Sequence, residues 1–488
     1  MVWQGNYDRL FIGGRWVEPA GNDKISVISP FSEQLVAQVP DASRADADKA
    51  VAAARAAFDD GPWPRLTLAE RMDVLRRVSA AMQQSEEQVA ELVTDEMGCP
   101  ISLSRTMQSR NPRILIDNFL ELAPQYGWST VRRSSTGQAL VTREPLGVVA
   151  AITPWNVPLL TLIIKLAPAL LSGCTMVVKP SPEAPLSSYL FAEMLAAAGL
   201  PEGVVNILPA GRDVGEHLVT HSGVDKVSFT GSTAAGRRIA SLCGQDLRRV
   251  TLELGGKSAA VILDDADLDL AIENIRTLSL RNSGQTCSNK TRILVPRARE
   301  AELRDRLVAM VEAMPVGDPR DPATQIGPLV AERQRERVEG YVECGRDEGA
   351  KVLVGGGRPA GLDRGWFVQP TIFVDVERSM RIAQEEIFGP VLAVLAYDNE
   401  DDAVAIANST SYGLSGSVFS ADDEHALAVA RRIRTGAIEL NGKPVGWHAP
   451  VGGVKNSGIG REAGLEGFDA YVEPKSYGLS SALADTLS

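Results

Sequence analysis

The chain has only four histidines, His217, His221, His425 and His448, in 488 residues, and they form no H-E-x-x-H pair. Its five cysteines, Cys99, Cys174, Cys243, Cys287 and Cys344, are widely spaced, with no C-x-x-C and no Cys/His cluster, so no zinc or other metal site is expected. An odd, scattered set of thiols also excludes a disulfide framework and suits a reducing cytoplasm. No G-x-G-x-x-G follows an expected strand, so the common dinucleotide fingerprint is missing. The opening residues show neither a basic n-region nor an apolar h-region, so no secretory signal is read there. Basic residues are too few and too dispersed for a nucleic-acid footprint, with a net charge of -12. The most apolar run, Val157 to Val178, is long enough to cross a bilayer, but Lys165, Pro168 and Gly173 split it into a buried helix and a strand. No membrane partner is expected.

What is present is an ordinary globular composition, 44% apolar and 23% charged, in a chain long enough for about three units at roughly 150 residues each. From Leu146 onward, apolar strand-like runs alternate with helical patterns, the signature of βαβ units on parallel sheets. "GVVAAIT", "TMVVK", "VVNILPAG" and "DKVSFTGS" read as strands of one such region. "AAVIL", "RILVP", "QPTIFV", "VLAVLAY", "GLSGSVFS" and "GAIEL" read as strands of a second. The segment Trp128 to Glu144 reads as a polar hairpin turning at Ser-Ser-Thr-Gly, either an arm toward another subunit or a plain surface hairpin.

Several segments place chemistry-bearing residues where a core would not choose them. "NSGQTCSNKTR" surrounds Cys287 with small polar neighbours and offers no histidine to activate it. "LELGGKS" puts Glu253 in an otherwise apolar strand before two glycines, as a paired, solvated or proton-abstracting carboxylate. "TPWNVP" sets Asn156 between prolines, either as a turn residue bonding its own backbone or as an amide donor for a developing oxyanion. Lys179 in "KPSPEAP" ends a strand, at the edge where open α/β sheets bind ligands. In "GSTAAG", Ser232 stands before a helix, where it serves as an N-cap or meets a pyrophosphate.

Taken together, "PWNVP", "VVKPSP", "FTGST", "LELGGKS", "GQTCSN", "EEIFGPV" and "PVGGVKNSGIGRE", in this order between about residues 154 and 462, resemble the aldehyde dehydrogenase superfamily, in its hydrolytic, non-acylating branch. The separation of Glu253 and Cys287, 287 − 253 = 34 residues, is also that family's usual one. The resemblance implies an α/β fold with a Rossmann-like cofactor domain (1–125 and 146–255), an α/β catalytic domain (256–457) and a small β oligomerisation element (126–145 and 471–488). It implies a homodimer or homotetramer. It also implies NAD(P)-dependent oxidation of an aldehyde to the acid. Cys287 would be the nucleophile, forming a thiohemiacetal and then a thioester, and Glu253 the base for the hydrolytic water. Asn156 and the Cys287 backbone N–H would form the oxyanion hole. Cofactor contacts would come from Thr153, Trp155, Lys179, Glu183, Gly211, Gly215, Phe229, Gly231, Ser232, Leu254, Glu386 and Phe388.

Two departures bear on specificity. Pro182 stands where many members have the glutamate that favours NAD over NADP, with Glu183 one step on, so NAD is expected with NADP left open. Val157 and Val451 replace aromatics that often line the aldehyde tunnel, which suggests room for a branched or bulky apolar aldehyde unless Trp447 refills it. Other activities fit less well. A CoA-acylating relative would usually lack Glu253, a cysteine hydrolase would want a histidine beside its thiol, and an idle protein on the same fold would have no use for Cys287, Glu253, Asn156 and Lys179 together.

Overall fold

The computed structural model describes residues 7–487; the outermost residues of the expected first and last segments lie outside it. The strands Val148–Ile152, Thr175–Lys179, Val205–Ile207, Lys226–Thr230 and Arg249–Glu253 run parallel, and in space the last two lie on the far side of the first. The chain order along this parallel core is therefore 3-2-1-4-5, a doubly wound sheet whose direction of winding reverses between Val148–Ile152 and Lys226–Thr230. Antiparallel strands complete the edges, Leu10–Ile12 and Arg15–Val17 on one side and Gly458–Ile459 on the other. The strands are apolar on both faces because helices cover both.

The apolar run at Val157 does split as its breakers dictate. Pro158 opens the helix Pro158–Ser172, its missing N–H costing nothing at the first position, and Gly173 ends it in a left-handed turn at φ 95°. No helix of the described residues is long and apolar enough to cross a membrane.

A second sheet carries every strand read from the latter half of the sequence: Ala259–Ile262, Arg292–Pro296, Thr371–Val374, Val391–Tyr397, Gly416–Phe419 and Glu439–Leu440. All of these pair in parallel, and Lys351–Val354 joins antiparallel at one edge. The polar hairpin forms from Ser129–Ser134 and Gly137–Pro145, and Val472–Leu479 pairs along the whole of its second strand. That three-stranded ribbon joins segments more than 300 residues apart.

Candidate active site

The winding reversal of the first sheet leaves a crevice at the carboxyl ends of Val148–Ile152 and Lys226–Thr230, and the next residues on each strand, Thr153 to Asn156 and Gly231 to Ser232, are among those picked out by sequence. Asn156 is buried, and its Nδ2 donates to the Gln285 carbonyl at 3.0 Å. Its own backbone carbonyl accepts from Gln108 Nε2 at 3.0 Å and Asn282 Nδ2 at 3.1 Å. One N–H of the amide thus locks it against the loop that carries Cys287, and the amide keeps a second N–H to donate. This is not the self-contained turn that was the alternative reading.

Cys287 is half-buried on a loop entered through three successive left-handed residues, Asn282 at φ 54°, Ser283 at φ 55° and Gly284 at φ 77°. Two of these are not glycine, a strained conformation of the kind found where a surrounding structure fixes a functional loop. Ser283 Oγ donates to the Gly327 carbonyl at 2.8 Å, and the Gln285 side chain bridges the Asn282 carbonyl and the Val330 N–H, which hold the strain in place. Burial, with Glu386 and Glu253 nearby, pushes the thiol up to about 12, while Arg281 and the residue's own backbone N–H favour the thiolate.

Glu253 ends its strand, and the two glycines after it run between the other groups. A Cβ on Gly256 would lie 2.7 Å from the Cys287 carbonyl, and one on Gly255 would collide with the Glu386 carboxylate. Only glycine lets the backbone pass this close, so Glu253, Cys287 and Glu386 meet around one tight turn. Glu253 is buried, its Oε1 has no hydrogen-bond partner, and burial together with Glu462 raises its pKa well above the usual carboxyl range. Lys165 and Arg461 act in the opposite direction. Lys165 Nζ lies 2.5 Å from Glu462 Oε1, with 0% and 3% of the side chains exposed.

The remaining residues line the crevice and its rim. Lys179 is buried, donates to the carbonyls of Ala210 at 2.6 Å and Pro180 at 3.1 Å, and is pulled down by burial to about 8. Its carbonyl accepts from the Thr153 N–H at 3.1 Å, which joins the two strand ends. Gly215 packs against its stem, and Gly211 caps the helix Arg212–Thr220 with its N–H on Asp41 Oδ1 at 3.2 Å. Phe229 is buried with Gly231 against its ring, and Ser232 caps the helix Thr233–Gln245, its Oγ accepting from the Ala235 N–H at 3.3 Å. Leu254 is buried against that helix at Gly236. Glu386 accepts from the Gly256 N–H at 3.1 Å and is raised by burial to about 7. Phe388, left-handed at φ 64°, meets Trp155 edge-on with ring centroids 5.3 Å apart. Glu183 is held by Ser181 Oγ and by Arg333, which reaches across from the helix Glu332–Asp347.

A dinucleotide fits this surface. The hydroxyls of Thr153 and Thr230 are buried without partners at the strand ends, a helix N-terminus stands at Ser232, and a lysine and a glutamate flank the crevice.

Sequence reasoning missed Lys165, Glu462 and Gln108 as parts of the site. Lys165 was visible as the one cation in an apolar run, and Glu462 as the end of "PVGGVKNSGIGRE", but their pairing spans 297 residues. Gln108 lies on the wide turn Ser104–Arg110, a π-helical segment without a sequence signature. The fold also brings two of the histidines to an aspartate. His217 and His221, one helical turn apart, meet Asp48 with ligand atoms all within 4.8 Å. The sequence search missed the trio because Asp48 arrives from the helix Arg44–Asp59. His221 Nδ1 accepts from the Gly223 N–H at 2.9 Å, so Nε2 carries the ring proton and faces Asp48 as a donor. His448 lies on the surface beside Glu121, 3.3 Å away.

A doubly wound sheet with a cysteine, a buried carboxylate and an amide at its crevice is the architecture of a dinucleotide-dependent oxidoreductase. The sequence profile of the aldehyde dehydrogenase family matches residues 16–477, and the chain belongs to that family. It is similar to geranial dehydrogenase of Castellaniella defragrans, 47% identical over 472 residues, which are 96% of this chain and 98% of the relative. It is 43% identical to a 3-succinoylsemialdehyde-pyridine dehydrogenase of a Pseudomonas species over 478 residues, 96% of this chain and 98% of that one. Among solved structures, an aldehyde dehydrogenase of Mycobacterium tuberculosis complexed with NAD+ superposes with a TM-score of 0.96 at 47% identity, covering 97% of this chain and 98% of the other. A mutant of aldehyde dehydrogenase C of Pseudomonas syringae, complexed with NAD+ and octanal, superposes at 0.95 with 42% identity and 98% of both chains covered.

Proposed function

We propose that the enzyme oxidises an apolar aldehyde to its carboxylic acid through a Cys287 thioester, with NAD as the cofactor. The observation that carries this reading is the meeting of Cys287, Glu253 and Glu386 around Gly255 and Gly256, with Asn156 tied to the Cys287 loop through the Gln285 carbonyl. The Cys287 thiolate adds to the carbonyl carbon, forming a C–S bond and an alkoxide. The free N–H of Asn156 and the Cys287 backbone N–H hold that oxygen. NAD, which Lys179, Ser232 and Glu386 would hold, would supply the two-electron oxidation that turns the Cys287 thiohemiacetal into its thioester. Glu253 removes a proton from water, the hydroxide attacks the thioester, and the C–S bond breaks to release the acid and restore the thiolate. Lys165, ion-paired with Glu462, is the countercharge that keeps Glu253 able to give up its proton.

Lys179 and Glu386 are the contacts proposed for the two ribose ends of the dinucleotide, Ser232 for the pyrophosphate, and Thr153, Trp155, Leu254 and Phe388 for the nicotinamide side. Gly211, Gly215, Phe229 and Gly231 shape the walls. Glu183, already paired with Arg333, is placed at the adenosine end, where its charge favours NAD over NADP. An apolar, branched or medium-chain substrate is supported by Val157 and Val451 and by two relatives, one named for geranial and one bound to octanal. The proposed domains are residues 1–125 with 146–255 for the cofactor, 256–457 for catalysis, and 126–145 with 471–488 as the ribbon of a homodimer or homotetramer. Five free thiols, none in a disulfide, are consistent with a cytoplasmic setting.

The test is spectrophotometric. Purified enzyme should reduce NAD with geranial or octanal, and Cys287→Ala should abolish this while circular dichroism and oligomer size stay unchanged. Turnover surviving in that variant would sink the nucleophile assignment.

A further inference from the structure

We propose that the Arg281 guanidinium is the counter-ion of the Cys287 thiolate, held beside it through Ser288. The proposal rests on Cys287 being the nucleophile. The left-handed run at 282–284 folds the chain back so that Arg281 faces the residue following Cys287, with Arg281 Nη2 donating to Ser288 Oγ at 3.3 Å. Asn289 Nδ2 fixes the Arg281 carbonyl at 3.1 Å, which closes the same loop from its other end.

The guanidinium is otherwise poorly served. Its Nε is buried with no acceptor, and among the described residues it makes no ion pair with a carboxylate. The nearest carboxylate influence is Glu439, already engaged by Lys290 at 2.7 Å. Arg292, fully buried where Arg281 is part-buried, shows how this fold treats a purely structural arginine: it donates to the carbonyls of Lys257, Ile406 and Ala407 at 2.8–2.9 Å. A part-buried guanidinium whose Nε finds no acceptor and whose one carboxylate is shared with Lys290 is costly, and such a cation is retained where an anion forms beside it. Cys287 is the group that becomes anionic there in the reaction. The other charged groups acting on Cys287 are Glu386 and Glu253, both of which oppose its ionisation, while Arg281 itself also feels the Cys99 thiol. Arg281 is thus the one cation among the side chains acting on this sulfur.

The test is the pH dependence of iodoacetamide alkylation of the full-length enzyme, with the modified site identified as Cys287 by mass spectrometry. Alkylation reports the thiolate fraction. Arg281→Gln should move the profile upward by about one pH unit or more, a roughly tenfold slower reaction at neutral pH. Arg281→Lys should restore most of it, and Ser288→Ala, which removes only the tether, should shift it by less. If Arg281→Gln does not fold, Arg281→Met, which removes the same charge and keeps an apolar stem, carries the same test. Profiles that coincide with the parent's overturn the proposal, including the case in which only the KM for aldehyde rises, which would assign Arg281 to the substrate instead. Failure of the nucleophile reading shows separately, as aldehyde oxidation that survives Cys287→Ala.

Discussion

Replacing Lys165 with methionine keeps the volume of the side chain and removes its charge from the most enclosed ion pair of the molecule. The partner, Glu462, then stays buried with Ser228 Oγ at 3.4 Å as its remaining hydrogen bond and with Lys226 as a nearby cation. Breaking a buried pair from one side costs about 3–5 kcal/mol. A loss of about 3–5 kcal/mol at neutral pH is therefore expected, and Lys165→Met combined with Glu462→Gln should recover a large part of it. The same substitution removes a cation that favours ionised Glu253. A carboxyl already raised by burial binds its proton in the folded state up to a higher pH than in the unfolded chain, so its ionisation destabilises the fold as pH rises, and losing Lys165 extends that effect further. Turnover in Lys165→Met should accordingly reach its plateau at higher pH than in the parent. Denaturant midpoints at fixed protein concentration and pH–rate profiles are the assays. An unchanged midpoint, or no rescue by Glu462→Gln, would refute the reasoning.

Glu253→Gln should give a burst of reduced cofactor of about one equivalent per active site and then stall, with a thioester on Cys287 detectable by intact-mass spectrometry; steady turnover would require another base. Asn156→Ala should lower kcat by about 10²–10³, the usual cost of removing one oxyanion donor, while Cys287 still reacts with iodoacetamide. A loss confined to KM would assign Asn156 to binding alone.

The sheets were legible because their strands are continuous apolar runs punctuated by glycine and proline, and local pattern decides such elements. Cys287, Glu253 and Asn156 were legible for a different reason: each violates its local pattern, a small polar loop around a thiol, an acid in a strand, an amide between prolines. Lys165 and Glu462 also violate theirs, yet their meaning lies in a contact across 297 residues that no local rule encodes. Gln108 and Arg281 fit their surroundings in sequence and gain significance only from the atoms they face. The histidine–aspartate trio was missed on the same grounds, since Asp48 and His217 are brought together by two helices packing side by side.

The pairing of Val472–Leu479 with Gly137–Pro145, the addition of Gly458–Ile459 to the first sheet and the contact of Glu462 with Lys165 all join late residues to partners made much earlier in the chain. A chain reaching only to residue 450 already contains Cys287, Asn156 and Glu253, but it lacks the Lys165–Glu462 pair that acts on Glu253, and one edge of the first sheet is open. Until the residues beyond 450 are in place, one edge of the first sheet is a row of unpaired backbone groups open to pairing with another chain.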